Sequence, residues 1–177
     1  MILFGDSLIA NFGRSNTEAI ESAVDFDVYN CATGGWDTNH GVRKATYIAQ
    51  LKPEVVVLSF GTNDSTPDRR LELDSVVENV KKIIDIFAGS RVIVLLPPPI
   101  HEERQEPGRN RSNETIEKYA NSIKKLLDEE GVAYIDSAIF QRMFDSGVDY
   151  HEEDGIHFND LGYETVINEI ASFLKRA

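Results

Sequence analysis

Read for its hydrophobic and polar positions, the chain alternates short apolar runs with longer stretches in which apolar residues recur every three or four positions. Residues 1–4 are uniformly apolar, the mark of a strand covered on both faces, and Gly5 lets the backbone leave that strand sharply. Residues 26–30 alternate apolar and polar, which reads as a second, less buried strand at an edge. The β-branched run 55–60 is the most strand-like in the chain and breaks at Gly61. Residues 91–96 are a fourth strand, ended by three prolines, and 132–136 a short fifth. Between them the periodicity predicts helices over 16–23, 38–51, 68–87, 114–130 and 161–174. The stripe through Leu73, Val76, Val80, Ile83 and Phe87 is core, and Gly89 and Gly131 are helix stops. Residues 101–113 have no periodicity and many breakers, so they form the longest loop.

Strands that alternate with helices imply βαβ units, right-handed crossovers and a parallel sheet between two helical layers. The fold class expected is therefore α/β, a three-layer α/β/α domain spanning residues 1–177. Its doubly wound, flavodoxin-like sheet has five parallel strands in the order 2-1-3-4-5. Ligands bind such sheets at the carboxyl ends of the strands, where the order reverses. Ser7, just after the first strand, and Asn63, just after the third, should then be neighbours.

Composition narrows the function further. Hydrophobic residues make up 41% and charged residues 27%, an ordinary globular balance, while the net charge of −12 speaks against nucleic acid as a partner. No apolar run approaches the length of a membrane span, and a strand that begins at residue 1 leaves no room for a secretory leader. The expectation is a soluble, cytoplasmic protein without membrane insertion that acts on a small molecule. The single cysteine, Cys31, cannot form an intramolecular disulfide. No spacing of His, Cys, Asp and Glu suggests a metal site, and no Gly-rich phosphate loop is present, so neither metal nor cofactor is expected.

A hydroxyl at a strand end becomes a nucleophile only with a base to take its proton and a carboxylate to orient that base. Of four histidines, His157 has the best context, because Asp154 three residues earlier can reach its Nδ1. His151, flanked by acids, reads as a member of a surface ion pair. His40 and His101 show no chemical context.

Four blocks along the chain carry a resemblance. Gly5-Asp6-Ser7-Leu8 resembles the opening signature of the GDSL esterases, or SGNH hydrolases, and Asn30-Cys-Ala-Thr-Gly34-Gly35 resembles their glycine block. Gly61-Thr62-Asn63-Asp64 is similar to their Gly-x-Asn-Asp block, and Asp154-Gly155-Ile156-His157 to their terminal Asp-x-x-His block. The resemblance implies that Ser7 is the nucleophile, His157 the general base and Asp154 its orienting carboxylate. It also implies an oxyanion hole formed by the N–H groups of Ser7 and Gly35 and the side chain of Asn63, with Gly34 as the alternative to Gly35. Trp36 is the candidate substrate contact, and Asp6 and Asp64 are read as structural caps. Ile9-Ala-Asn departs from the Thr-x-Gly that often follows the serine. The activity implied is hydrolysis of small carboxylic esters, acetylated carbohydrates among them, through an acyl-enzyme. Alternatives are a lysophospholipase or acyl thioesterase of the same family, a catalytically silent binding module, and a phosphate-binding protein. The loop after the fourth strand should wall the site, with Arg104, Arg109 and Arg111 available to a polar or anionic leaving group.

Overall fold

The computed structural model describes residues 1–69 and 71–175. The sheet is fully parallel, with β1 (Ile2–Gly5) between β2 (Tyr29–Asn30) and β3 (Val55–Ser59), followed by β4 (Arg91–Leu95) and β5 (Ala133–Ile135). The order is 2-1-3-4-5, as the alternation of elements predicts. The helices are α1 (Ser7–Ala10), α2 (Arg14–Val24), α3 (Thr38–Ala49), α4 (Leu73–Ile86), α5 (Asn113–Glu130), α6 (Ser137–Asp145) and α7 (Asp160–Lys175).

The two-residue period of a strand divides the apolar runs between two cores. Leu3, Val55, Val57, Ile93 and Leu95 point to one face, where Ile20 of α2, Phe140 of α6 and Val166 and Ile170 of α7 cover them. Ile2, Phe4, Val56, Leu58 and Val94 point to the other, against Ala45 of α3, Val76, Val80 and Ile83 of α4 and Ile123 and Leu127 of α5. Every residue of β1 and β3 is buried, which explains why their runs show no polar alternation.

Of the differences from the sequence expectation, three have a clear physical cause. The long amphipathic helix begins at Leu73 rather than at residue 68, because the preceding chain closes tight turns on itself: Ser65 Oγ donates to Thr62 O at 2.9 Å and Thr66 Oγ1 to Asn63 O at 2.7 Å. These short polar side chains compete with helical hydrogen bonding. Strand β2 shrinks to two residues, since the Val28 N–H is taken by Glu21 Oε1 at 2.9 Å before the chain reaches the sheet; its edge position is as predicted. Helix α6 was not anticipated, although Asp136 caps it by accepting from the Ala138 N–H at 2.9 Å.

The join between β1 and β3 leaves no room for a side chain. A Cβ on Gly5 would lie 2.1 Å from Ser59 O and 2.8 Å from Ser59 N, both backbone atoms of the paired strand. Gly5→Ala should therefore force the central strands apart. We expect it to lower Tm by at least about 10 °C or abolish soluble expression, whereas Gly89→Ala, with open space around it, should shift Tm by no more than about 2 °C. Thermal melts of the two variants check this, and similar melts would contradict it.

Candidate active site

The backbone turns out of β1 at Gly5, and Asp6 caps α1 by accepting from the Leu8 N–H at 3.0 Å, so that Ser7 is the first residue of the helix. Ser7 Oγ lies 2.8 Å from His157 Nε2, across 150 positions of sequence. His157 Nδ1 is 2.5 Å from Asp154 Oδ2, while Asp154 Oδ1 accepts the N–H groups of Ile156 at 2.9 Å and His157 at 3.0 Å. Burial works against the charge of Asp154, but those two N–H groups and the His157 ring more than offset it and hold its pKa below the usual carboxylate range. A carboxylate kept charged at Nδ1 leaves Nε2 as the basic nitrogen that faces Ser7.

Opposite Ser7 runs the glycine block, where a Cβ on Gly34 would be 3.8 Å from the Ser7 Cβ. Gly35 has φ +77°, which a side chain would strain, and its carbonyl accepts from Arg69 at 2.5 Å. Among the described residues, the N–H groups of Ser7, Gly34 and Gly35 have no acceptor. After β3, Asp64 organises the next turn: Oδ1 accepts from Thr38 N at 2.9 Å and Thr38 Oγ1 at 2.6 Å, and Oδ2 from Gly61 N at 3.1 Å. The turn presents Asn63, whose Nδ2 donates to Trp36 O at 2.9 Å and whose Oδ1 accepts from Arg111 Nη2 at 3.2 Å. Exchanging the amide oxygen and nitrogen would break both bonds, so the orientation is determined, and the second Nδ2 hydrogen remains for a ligand.

Ser7, Gly34, Gly35, Asn63, Asp154 and His157 all line one cleft of about 450 Å³, within the usual size range of small-molecule sites. Trp36 does not join them through its indole, which meets Phe4 edge-on at 6.1 Å and stacks on His40 at 6.2 Å. Its part at the site is the carbonyl that holds Asn63. The loop after β4 supplies Glu106, Arg109 and Arg111 to the cleft, but Arg104 turns to Asp149 at 2.5 Å.

Two histidines differ from what the sequence suggests. His40 is a capping residue, its ring 2.7 Å from the Asp37 side chain at the start of α3. His151 is not at the surface, because its side chain is fully buried, with Nε2 2.8 Å from Pro99 O. Sequence reading also missed the contact between Arg111 and Asn63. Its available signal was only that an arginine lies in a loop at the correct end of the sheet.

Asp6 and Asp64 are both buried cap residues, and burial raises the pKa of each. For Asp6, burial with a further contribution from Asp64 pushes the value up to about 7, against the hydrogen bonds from Leu8 and Ser59. Its Oδ1 carries those bonds, while Oδ2 is buried without a partner among the described residues. Below that value Asp6 places no full negative charge beneath Ser7.

An acyl carbon attacked by Ser7 would put its oxygen against a cluster of N–H donors, which is the arrangement needed for nucleophilic acyl transfer. The model of the GDSL-like lipase/acylhydrolase family matches residues 3–165. A GDSL esterase/lipase of Arabidopsis thaliana is 28% identical over the whole chain, and the chain spans 64% of that relative's length. The crystal structure of a lipase/acylhydrolase from Enterococcus faecalis superposes with a TM-score of 0.86 at 24% identity, covering 98% of this chain and 94% of that one. That of an acetyl xylan esterase superposes with 0.79 at 19% identity, covering 97% and 98%.

The raised pKa of Asp6 sets a pH dependence of stability. Below about pH 4 both folded and unfolded chains hold the proton; as pH rises towards 7 only the unfolded chain releases it, so stability falls across that window. Asp6→Asn should remove this slope, gaining up to roughly 4 kcal/mol relative to the parent between pH 4 and pH 8. Urea unfolding of both proteins across the range measures it, and parallel pH curves would refute the assignment.

Proposed function

The chain belongs to the GDSL-like lipase/acylhydrolase family, and from that premise and the geometry of the cleft we propose that it is a serine esterase for small carboxylic esters, including acetylated carbohydrates. One observation carries the reading: the unbroken relay from Ser7 Oγ through His157 to Asp154, at 2.8 and 2.5 Å, opens into the cleft beside Asn63 and Gly35.

In this reading Ser7 Oγ attacks the ester carbonyl carbon as His157 Nε2 takes its proton, and Asp154 steadies the resulting imidazolium. The negative charge on the former carbonyl oxygen is met by the N–H groups of Ser7 and Gly35 and by Asn63 Nδ2. Collapse of the tetrahedral intermediate expels the alcohol, which takes the proton from His157. Water then repeats the sequence on the acyl-enzyme and regenerates Ser7. Arg111 is a positioning residue: through Oδ1 it keeps the Asn63 amide turned with Nδ2 towards the oxyanion.

The lining of the cleft supports a short acyl group and a polar leaving group. Apart from glycines, Ile156 is the one apolar side chain among its described lining residues, while Asn11, Thr66, Asp68 and Arg69 offer hydrogen bonds. A lysophospholipase or long-chain thioesterase requires an apolar channel for its acyl chain. We read residues 1–177 as one domain. A cytoplasmic setting is part of the proposal and rests on the acidic composition and the single cysteine. Among the described residues no helix is long and apolar enough to cross a membrane.

Ser7→Ala should lower kcat for 4-nitrophenyl acetate by at least about 10⁴-fold with the fold unchanged, and a fluorophosphonate probe should label Ser7 of the parent alone. Absence of an adduct by intact-mass spectrometry would favour a silent binding module. Acetate esters should exceed octanoate esters in kcat/KM by about 10²-fold, and acetylated xylan should release acetate; a preference for long chains would overturn the substrate assignment.

Arg111→Gln should lower kcat by about tenfold with KM for 4-nitrophenyl acetate nearly unchanged, since the Asn63 donor acts chiefly on charge that develops in the transition state. Steady-state kinetics decide, and a raised KM at constant kcat would make Arg111 a ground-state contact instead.

A further inference from the structure

Behind the cleft, the loop after β4 meets the segment that leads into the terminal Asp154–His157 block. There His101, Asp149 and His151 each bring one potential ligand atom within 4.8 Å of the other two. Asp149 Oδ1 is 3.4 Å from His101 Nε2 and 3.3 Å from His151 Nδ1.

The other nitrogen of each ring determines what these three atoms are. His151 Nε2 is 2.8 Å from the Pro99 carbonyl oxygen, and His101 Nδ1 is 2.8 Å from Glu103 Oε1. Both oxygens only accept, so the ring nitrogens facing them carry the hydrogens. The remaining nitrogens, His151 Nδ1 and His101 Nε2, are then lone pairs aimed at a carboxylate oxygen, an arrangement that repels unless something positive lies between them.

Two extra protons would place two imidazolium rings with centroids 4.9 Å apart beside the Arg104 guanidinium, with the His151 side chain entirely buried. A single divalent cation satisfies all three lone pairs at once. Asp149 has the capacity for it: Oδ1 also accepts the His151 N–H at 3.0 Å and Oδ2 is held by Arg104, which leaves a lone pair on Oδ1.

The dimensions and surroundings favour a zinc-like ion. A tetrahedral shell with bonds of about 2.0–2.1 Å has edges of about 3.3–3.4 Å, which both nitrogen–oxygen separations match; the third edge, between His101 Nε2 and His151 Nδ1, lies within 4.8 Å and would close to that length on binding. Metal-bound histidines ordinarily donate their second N–H to a carboxylate or a backbone carbonyl, the roles Glu103 and Pro99 have here. Asn159 Nδ2 clamps the carbonyls of Asp149 and His151 at 3.0 and 3.1 Å, and Phe144 and Tyr150 pack on the rings.

We propose that His101, Asp149 and His151 form a site for a zinc-like divalent cation, with solvent in the fourth position, that ties the loop after β4 to the segment carrying Asp154 and His157. The tie reaches the relay through the backbone: the His101 N–H donates to Gly155 O at 2.8 Å, and a Cβ on Gly155 would lie 2.8 Å from the His101 Cβ. The ion is structural and takes no part in ester cleavage.

Tag-free protein, stripped with a chelator and dialysed against Zn²⁺, tests the site. The parent and His157→Gln should each retain one equivalent by plasma mass spectrometry, and Co²⁺ in the parent should give a visible d–d band of tetrahedral intensity. Zn²⁺, but not Mg²⁺, should raise Tm by at least about 3 °C. His101→Gln and Asp149→Asn, folded by circular dichroism, should each weaken binding by at least about tenfold. No retained zinc in the parent, undiminished binding in either of these variants, or loss of zinc in His157→Gln would overturn the proposal.

Discussion

The backbone of Gly5 lies against the backbone of Ser59 with no room for even one methyl group between them, and the rest of the molecule is arranged around that approach. It joins β1 to β3 at the point where the strand order reverses, so the two strand ends open side by side. Asp6 carries the contact one residue further, its N–H donating to Ser59 O at 2.9 Å and its side chain accepting from Ser59 Oγ at 3.2 Å. Ser7 and Asn63 thereby emerge from adjacent, rigid strands, and only the His157 arm has to be brought in from the far end of the chain. In its proposed role of nucleophile, Ser7 on such a frame is oriented before substrate arrives.

Buried carboxyls tune the electrostatics of the cleft. Asp64 is hydrogen-bonded through both oxygens and ties the Asn63 turn to the start of α3. Asp6 is satisfied on one oxygen only, and burial pushes its pKa up to about 7. A charged carboxylate beneath Ser7 would oppose negative charge developing on a bound acyl oxygen, so the upward shift of the Asp6 pKa, which lessens that charge, suits a site built from N–H donors. Asp154, by contrast, is held charged by two backbone N–H groups and so supports a positive His157. Two aspartates, each in a cap or turn, shift in opposite directions because burial dominates at Asp6 while hydrogen bonds outweigh burial at Asp154.

Much of the fold was legible because it follows from local patterns. The buried runs of β1, β3 and β4, the stripe of α4 and the glycine stop of α5 each reflect periodicity or backbone freedom within a few residues. Where sequence reading failed, a nearby polar side chain had overridden propensity: Thr66 and Ser65 delay α4, and Glu21 takes the N–H that would have lengthened β2. Helix α6 was missed despite a capping aspartate, since nine residues give the period little room to appear.

The residues Ser7, Asn63, Asp154 and His157 stand out in the sequence because each occupies a short block whose spacing has a chemical meaning: a hydroxyl after a strand, an amide after a strand, and a carboxylate three positions before an imidazole. Their roles as a group depend on distances, and those belong to the tertiary structure. The same is true of what the sequence concealed. Trp36 contributes a carbonyl rather than a ring surface, Arg111 orients an amide 48 positions away, and His101 meets Asp149 and His151 across a similar gap. Periodicity and motif spacing report on neighbours within a turn or a strand. Contacts between loops are decided only when the sheet order and two packed cores bring strand ends together, so the chain alone specified the fold class and the candidate reacting groups, while the folded state decided which side chains hold them in place.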